Sequence, residues 1–193
     1  MWPWEHLAVG YLAYSLLVRL VRGHPPRGRL TIAALALGTQ FPDLVDKPLA
    51  WFFHVLPSGT SLAHSVFVAV PLVTLLVGVT WWLGRPSVGA AFGTGYLLHL
   101  PADVLYVLFY GSDLNWRVLM WPLYTSNSQQ FGFFGNIVYY FGNYTSLVTS
   151  ETAAAIVVFE LVLVGGALLL WVLDGVPGVR SHEPSRRRRP SQN

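Results

Sequence analysis

The chain has 193 residues, of which 53% are hydrophobic, 15% aromatic and only 11% charged, against roughly 25% charged in an ordinary soluble domain. That composition excludes a soluble globular enzyme and points to a membrane protein. With no cysteine, disulfides, thiolate nucleophiles and iron–sulfur sites are excluded, and the net charge of +3 sits mostly in loops and in the tail run Arg186 to Arg189, a footing against anionic lipid rather than nucleic acid.

A membrane-crossing helix needs about 20 mainly apolar residues, because a rise of about 1.5 Å per residue must cover about 30 Å of hydrocarbon. Four stretches meet this in chain order: Glu5 to Val21, Ser61 to Leu83, Ser87 to Tyr110 and Thr152 to Leu173. The first has no basic leader and no small-residue cleavage site, so it reads as a retained span rather than a signal peptide. Between the first and second of these lies a less regular element. Leu30 to Leu37 is apolar, but Gln40, Pro42, Asp43, Asp46, Lys47 and Pro48 follow. The pattern predicts a short helix over Leu30 to Phe41, broken by Pro42 inside the membrane thickness, with a second short helix around Trp51 to His54.

Lys and Arg gather on the cytoplasmic side of short loops. Five crossings with the N-terminus outside place Arg19, Arg22, Arg27, Arg29, Arg85, Arg180 and the tail arginines inside, and only Lys47 and Arg117 outside. The expected fold is therefore all-α: a polytopic membrane helical bundle of five spans, occupying residues 1–175 as one domain. Residues 111–150 form a long extracytoplasmic, aromatic-rich loop, and 176–193 a basic, disordered cytoplasmic tail.

Ionisable side chains inside spans are costly and invite a functional reading. Here His6, Asp43, Asp46, His64, His99 and Asp103 come from four segments and share one depth on the outer side. His99 and Asp103 are four apart and so stack on one helix face, within reach of one cation. Three imidazoles with three carboxylates form a mixed nitrogen and oxygen set suited to zinc, manganese or iron(II). One or two such ions would clamp a phosphoryl or acyl oxygen. The alternative for His99 and Asp103 is a hydrogen-bonded pair used only for packing. Glu160 is isolated and faces the bundle, His54 lies off the pattern, and His24 and His182 are solvated. Arg117 is the local cation suited to a substrate phosphate, with Trp121 nearby as an interfacial anchor or substrate contact.

The order His6, Gly38-Thr39-Gln40-Phe41-Pro42-Asp43-Leu44-Val45-Asp46, Ala63-His64-Ser65, Tyr96-Leu97-Leu98-His99-Leu100-Pro101-Ala102-Asp103 and Trp121-Pro122 resembles the membrane-bound metal-dependent hydrolase family of small bacterial and archaeal membrane proteins. The resemblance covers residues 1–124. The ligand order is also similar to that of zinc-dependent phospholipase C and the related single-strand nucleases. That likeness implies one metal held by Asp43 or Asp46 with His64, His99 and Asp103, and a second held by His6 with Asp103 as a bridge. The further His residues and the His-x-x-x-Glu pair that complete a third site in those enzymes have no counterpart after Asp103. Ala63 stands where the family often has Thr, and Asp43 and Asp46 are separated by two residues where the family often has one. It is thus open which of the two is a ligand and which a base or an orienter of histidine.

The function expected is that of an integral membrane metal-dependent hydrolase of the cell membrane. It would cut a phosphoester or other ester of a lipid or lipid-linked substrate at the extracytoplasmic face, with Asp43 and Asp46 as catalytic residues. The alternatives are a metal-ion or proton transporter, or a structural subunit with a buried polar network.

Overall fold

The computed structural model describes residues 1–110, 112–125, 131–149 and 153–179. Six α-helices are present: α1 (Pro3–Arg22), α2 (Arg29–Trp51), α3 (Val66–Trp82), α4 (Pro86–Tyr106), α5 (Gly132–Val148) and α6 (Ala153–Leu173). Two short 3-10 helices, Val107–Tyr110 and Trp116–Met120, follow α4. No strand pairing builds a sheet among the described residues, as the all-α expectation requires.

Two of these helical stretches are long and apolar enough to cross a membrane, Pro86–Phe109 and Ala153–Leu173. The five apolar crossings expected from the sequence are therefore not all met. α3 is apolar but has only 17 residues, because the chain before it is spent elsewhere: the backbone N–H groups of Ser61, Ala63 and His64 bind the Asp46 carboxylate. The helix then starts at Val66, with Ser65 as its cap accepting from the Phe67 N–H. α1 and α2 have the length, but α1 carries Glu5, Arg19 and Arg22, and α2 carries Arg29, Asp43, Asp46 and Lys47.

The predicted break at Pro42 does not occur. α2 runs through Pro42 and Pro48 as one helix of 23 residues and ends at Trp51, so the separate helix at Trp51 to His54 is absent. His54 sits exposed in the following loop with φ 54°. Tertiary packing overrides the local penalty of proline: α2 lies along α4, with their backbones in contact around Gly38 and Gly95. A Cβ on Gly38 would fall 2.2 Å from the Phe92 carbonyl oxygen, and one on Gly95 would fall 2.7 Å from the Leu35 carbonyl oxygen and the Thr39 nitrogen. Only hydrogen fits at either place.

Gly38→Ala is accordingly expected to cost about 2 to 3 kcal/mol, since the obstructing atoms are backbone and cannot rotate aside. Gly78→Ala, on α3 where a Cβ meets nothing within 4 Å, is expected to be neutral or stabilising through helix propensity. Thermal unfolding in detergent, with chelator present in both cases, compares the two.

α4 is the post around which α1, α2 and α3 pack. One core cluster joins Ala69 and Val73 of α3 to Phe92, Tyr96, Leu100 and Val104 of α4. A second joins Tyr11, Tyr14 and Val18 of α1 to Leu35 of α2 and Ala91 of α4. α6 leans on α1 and is fastened at its C-terminal end. There Asp174, buried, accepts from Tyr11 Oη and Ser15 Oγ at 2.6 Å each and pairs with Arg19. Tyr11, Ser15 and Arg19 lie four apart and form one stripe on α1, an arrangement the sequence reading did not single out.

The expected outer loop of residues 111–150 is also corrected. It contains the Trp116–Met120 3-10 helix and the 17-residue helix α5. Phe, Tyr and Gly in that stretch suggest a belt by composition, but an apolar run at a membrane surface satisfies its backbone most cheaply as a helix. α5 reaches the bundle through Tyr140 stacked on Trp51, with ring centroids 5.6 Å apart, and through the Tyr144 hydroxyl, which donates to Glu160 of α6. Of the basic tail, only residues 176–179 fall among those described.

Candidate metal centre

The four ligand-bearing side chains of Asp43, His64, His99 and Asp103 meet in one place, with one ligand atom from each lying within 4.8 Å of all the others. Asp43 comes from the second half of α2, His64 from the turn before α3, and His99 and Asp103 from successive turns of α4. The α2–α4 contact at Gly38 and Gly95 makes this convergence possible. It brings the Thr39 carbonyl to 2.7 Å from His99 Nδ1, one turn of α4 beyond Gly95.

That contact fixes the imidazole. A carbonyl oxygen can only accept, so His99 Nδ1 carries the proton and Nε2 presents a lone pair. His64 is held the same way, with Nδ1 at 2.8 Å from Asp46 Oδ2. The two Nε2 atoms then face each other at 3.2 Å, with Asp103 Oδ2 at 3.5 Å from His64 Nε2 and 3.3 Å from His99 Nε2. Asp43 Oδ1 is 3.6 Å from His64 Nε2 and 3.8 Å from His99 Nε2. Two imidazole nitrogens and two carboxylate oxygens thus converge on one point, a donor set that could hold a cation.

The spacing is close to that of one metal ion. A tetrahedral site with ligand distances of about 2.0 to 2.1 Å has edges of about 3.3 Å, and the five separations just given run from 3.2 to 3.8 Å, mostly a little wider. Asp43 Oδ1 is buried and finds no hydrogen-bond donor, as expected of an atom reserved for a ligand. Its other oxygen accepts from Lys47 Nζ, one helical turn on, and Lys47 also lies 5.7 Å from the centre of the Trp51 ring. The spacing of four between Asp43 and Lys47 was readable in the sequence as a helical ion pair.

The other nominated residues fall into distinct places. Asp46 is fully buried, and its carboxylate accepts three backbone N–H groups and the His64 imidazole. It lies outside the four-residue group and holds His64. His6 is also outside that group but against it: its ring stacks on His99 with centroids 3.8 Å apart, and its Nε2 is 3.1 Å from Asp103 Oδ1. The Met1 ammonium donates to the same oxygen at 2.6 Å. Arg117 is exposed. Trp121 is half-buried, packs near Ala50, Trp51 and Leu56, and its carbonyl accepts from Ser65. Glu160 is outside the four-residue group and accepts from Tyr144 at 3.0 and 3.1 Å. A cavity of about 230 Å³ reaches His64 and Asp103 and is bordered by Ser112, Asp113 and Asn115, polar positions the sequence reading passed over. Arg117 and Trp121 are outside its lining.

A profile of the YdjM inner membrane protein family matches residues 1–175, which takes in every helix and the whole cluster. This chain belongs to the YdjM inner membrane protein family. No curated protein and no solved structure matches it. Membership in the YdjM family, with two helices of spanning length and apolarity, makes it a membrane protein that carries a His/Asp group able to hold a metal ion. The YdjM description names a location and no reaction, so the metal-dependent hydrolase family that the motifs resemble is not what the match returns.

Proposed function

We propose that this chain is an integral membrane metal-dependent hydrolase, with one divalent cation, zinc foremost, held by Asp43, His64, His99 and Asp103. The observation that carries the reading is the set of five near-tetrahedral separations among those atoms, with both imidazoles fixed so that Nε2 faces inward. The cation, when bound, acidifies water and polarises a phosphoryl or acyl oxygen.

The protein's own part is positional. Asp46 keeps His64 in the ligating tautomer, and the Thr39 carbonyl does so for His99. Lys47 neutralises the outer oxygen of Asp43. Asp103 borders the cavity, and its Oδ1 lies 3.1 Å from His6 Nε2 and accepts from the Met1 ammonium, which makes His6 the imidazole beside the cluster that can hold a proton. The apolar wall of the cavity favours the ester of a lipid or lipid-linked substrate over a freely soluble one.

The proposed topology is multi-pass, with the N-terminus outside and the C-terminus cytoplasmic. Arg19 and Arg22 end α1, Arg29 opens α2 and Arg85 precedes α4. All of these lie at the end of the bundle opposite the cluster, and the tendency of such residues to gather on the cytoplasmic side supports this orientation. A transporter needs polar groups continuing across the bundle. Toward the other end Tyr14, Val18, Leu35 and Ala91 pack beside the paired Asp174, Ser15 and Arg19, and the one candidate metal-holding group among the described residues is the cluster itself, which supports a hydrolase.

The test is turnover of bis-p-nitrophenyl phosphate and of short-chain phospholipids by zinc-loaded protein in detergent. The wild type is expected to hydrolyse at least one of them, with a loss of more than about 100-fold in His64→Ala and on chelation. Equal rates in wild type, variant and chelated protein would mean the cluster performs no hydrolysis.

A further inference from the structure

The cavity at the cluster states what the far end of its ligand must carry. It meets the cluster at His64 and Asp103, runs along Val104, Val107 and Leu119, and includes Ser112, Asp113 and Asn115, all three exposed, in its lining. Among the described residues no Lys or Arg borders it. Lys47 is committed to Asp43, and Arg117 is exposed outside the lining. Apart from the cluster itself, the formal charge that the described residues bring to the wall is the carboxylate of Asp113.

Resting on the metal reading above, we propose that this cavity selects an alkyl phosphate whose alcohol carries a primary ammonium group. The phosphoryl end lies at His64 and Asp103, where the cation offsets its charge. The ammonium end lies on Asp113; Asn115, also in the lining, has its amide engaged with Tyr124 and the Arg117 N–H. A carboxylate at the edge of an apolar wall attracts an ammonium more strongly than one in open water. The same carboxylate repels a second phosphate or a carboxylate at that end, so charge excludes as well as selects. The valines and Leu119 face the short methylene stretch between the two charged ends.

This chemistry has two sources, soluble phosphoethanolamine and the head group of phosphatidylethanolamine. Zinc-loaded protein in detergent is titrated calorimetrically with phosphoethanolamine and with ethyl phosphate, which lacks only the ammonium, in wild type and in Asp113→Asn. The wild type is expected to bind phosphoethanolamine about tenfold more tightly than ethyl phosphate. Asp113→Asn is expected to bring the two within about twofold, with zinc content unchanged. Dihexanoyl-phosphatidylethanolamine binding more tightly than phosphoethanolamine assigns the lipid as the source, and equal or weaker binding assigns the soluble ester. No preference in the wild type, or a preference that survives Asp113→Asn while zinc is retained, overturns the proposal and leaves the metal reading standing. A wild type that holds no zinc overturns the metal reading, and the proposal with it.

Discussion

His99→Ala is expected to leave the protein without bound metal, whereas the wild type purified in detergent retains close to one equivalent by elemental analysis. The substitution removes one of four ligands and also the ring against which His6 stacks at 3.8 Å. The remaining carboxylates, Asp43 and Asp103, keep their charge with one fewer nitrogen donor to share a cation. Because metal bound only to the folded state stabilises it by mass action, roughly 2.7 kcal/mol at 100 times the dissociation constant, a chelator should lower the melting temperature of the wild type. It should leave that of His99→Ala unchanged. Glu160→Gln is the control: Glu160 is bonded to Tyr144 and is not one of the four cluster residues, so metal content should match the wild type. Equal content in all three proteins would remove the metal assignment.

The second large effect belongs to a residue that touches no ligand position. Asp46→Asn is expected to fold and yet lose metal affinity by about 10- to 100-fold or more. Asp46 accepts four hydrogen bonds, three of them from backbone N–H groups at 2.8, 2.8 and 3.1 Å. With its amide nitrogen at the Oδ1 position an asparagine meets one donor, the Ala63 N–H, whereas at Oδ2 it would meet the N–H groups of Ser61 and His64 and the His64 ring. The first orientation keeps His64 Nδ1–H on a neutral amide oxygen in place of a carboxylate. The imidazole is then less firmly oriented and its Nε2 less basic, so affinity falls without loss of any ligand-type side chain of the cluster. Asp46→Ala should behave differently. It leaves three buried N–H groups unpaired and is expected to destabilise the fold by about 3 kcal/mol as well. Zinc titration with a fluorescent competitor, alongside thermal unfolding, separates the two variants. An Asp46→Asn protein with wild-type zinc affinity would show that the carboxylate charge of Asp46 does not support His64 as a donor.

Much of this arrangement was legible in the chain because it depends on near neighbours. Apolar runs place α1, α4 and α6 within a few residues of their ends, and the spacing of four puts His99 and Asp103 on one face. Asp43 and His64 stood out as ionisable residues flanking apolar stretches. What could not be read depends on atoms without a sequence signature. The division between Asp43 and Asp46 rests on backbone N–H groups at residues 61, 63 and 64, which any residue types would supply. The continuity of α2 through Pro42 depends on a contact of Gly38 with Phe92, more than fifty positions away, and proline is tolerated where neighbouring helices hold the chain. Residues 131–149 look like an aromatic belt by composition, yet α5 forms there with Tyr140 against Trp51 and Tyr144 against Glu160. Asp174, just beyond the last apolar run, carries no signal in the sequence that it is a buried acceptor shared by Tyr11, Ser15 and Arg19.

The Asp174 clamp sets an order of assembly. The stripe on α1 that it satisfies is among the first parts of the chain to be made, and its partner is among the last described. Until residue 174 leaves the ribosome, the Arg19 guanidinium and the Tyr11 and Ser15 hydroxyls must be accommodated by water, lipid head groups or the insertion machinery. α1 therefore cannot complete its packing during synthesis, and the cluster at its opposite end, where His6 meets Asp103, is assembled on a helix whose other end is still loose. A nascent chain stalled or truncated before Asp174 should be handled by membrane quality control as an incomplete protein, although every residue of the metal centre is already present.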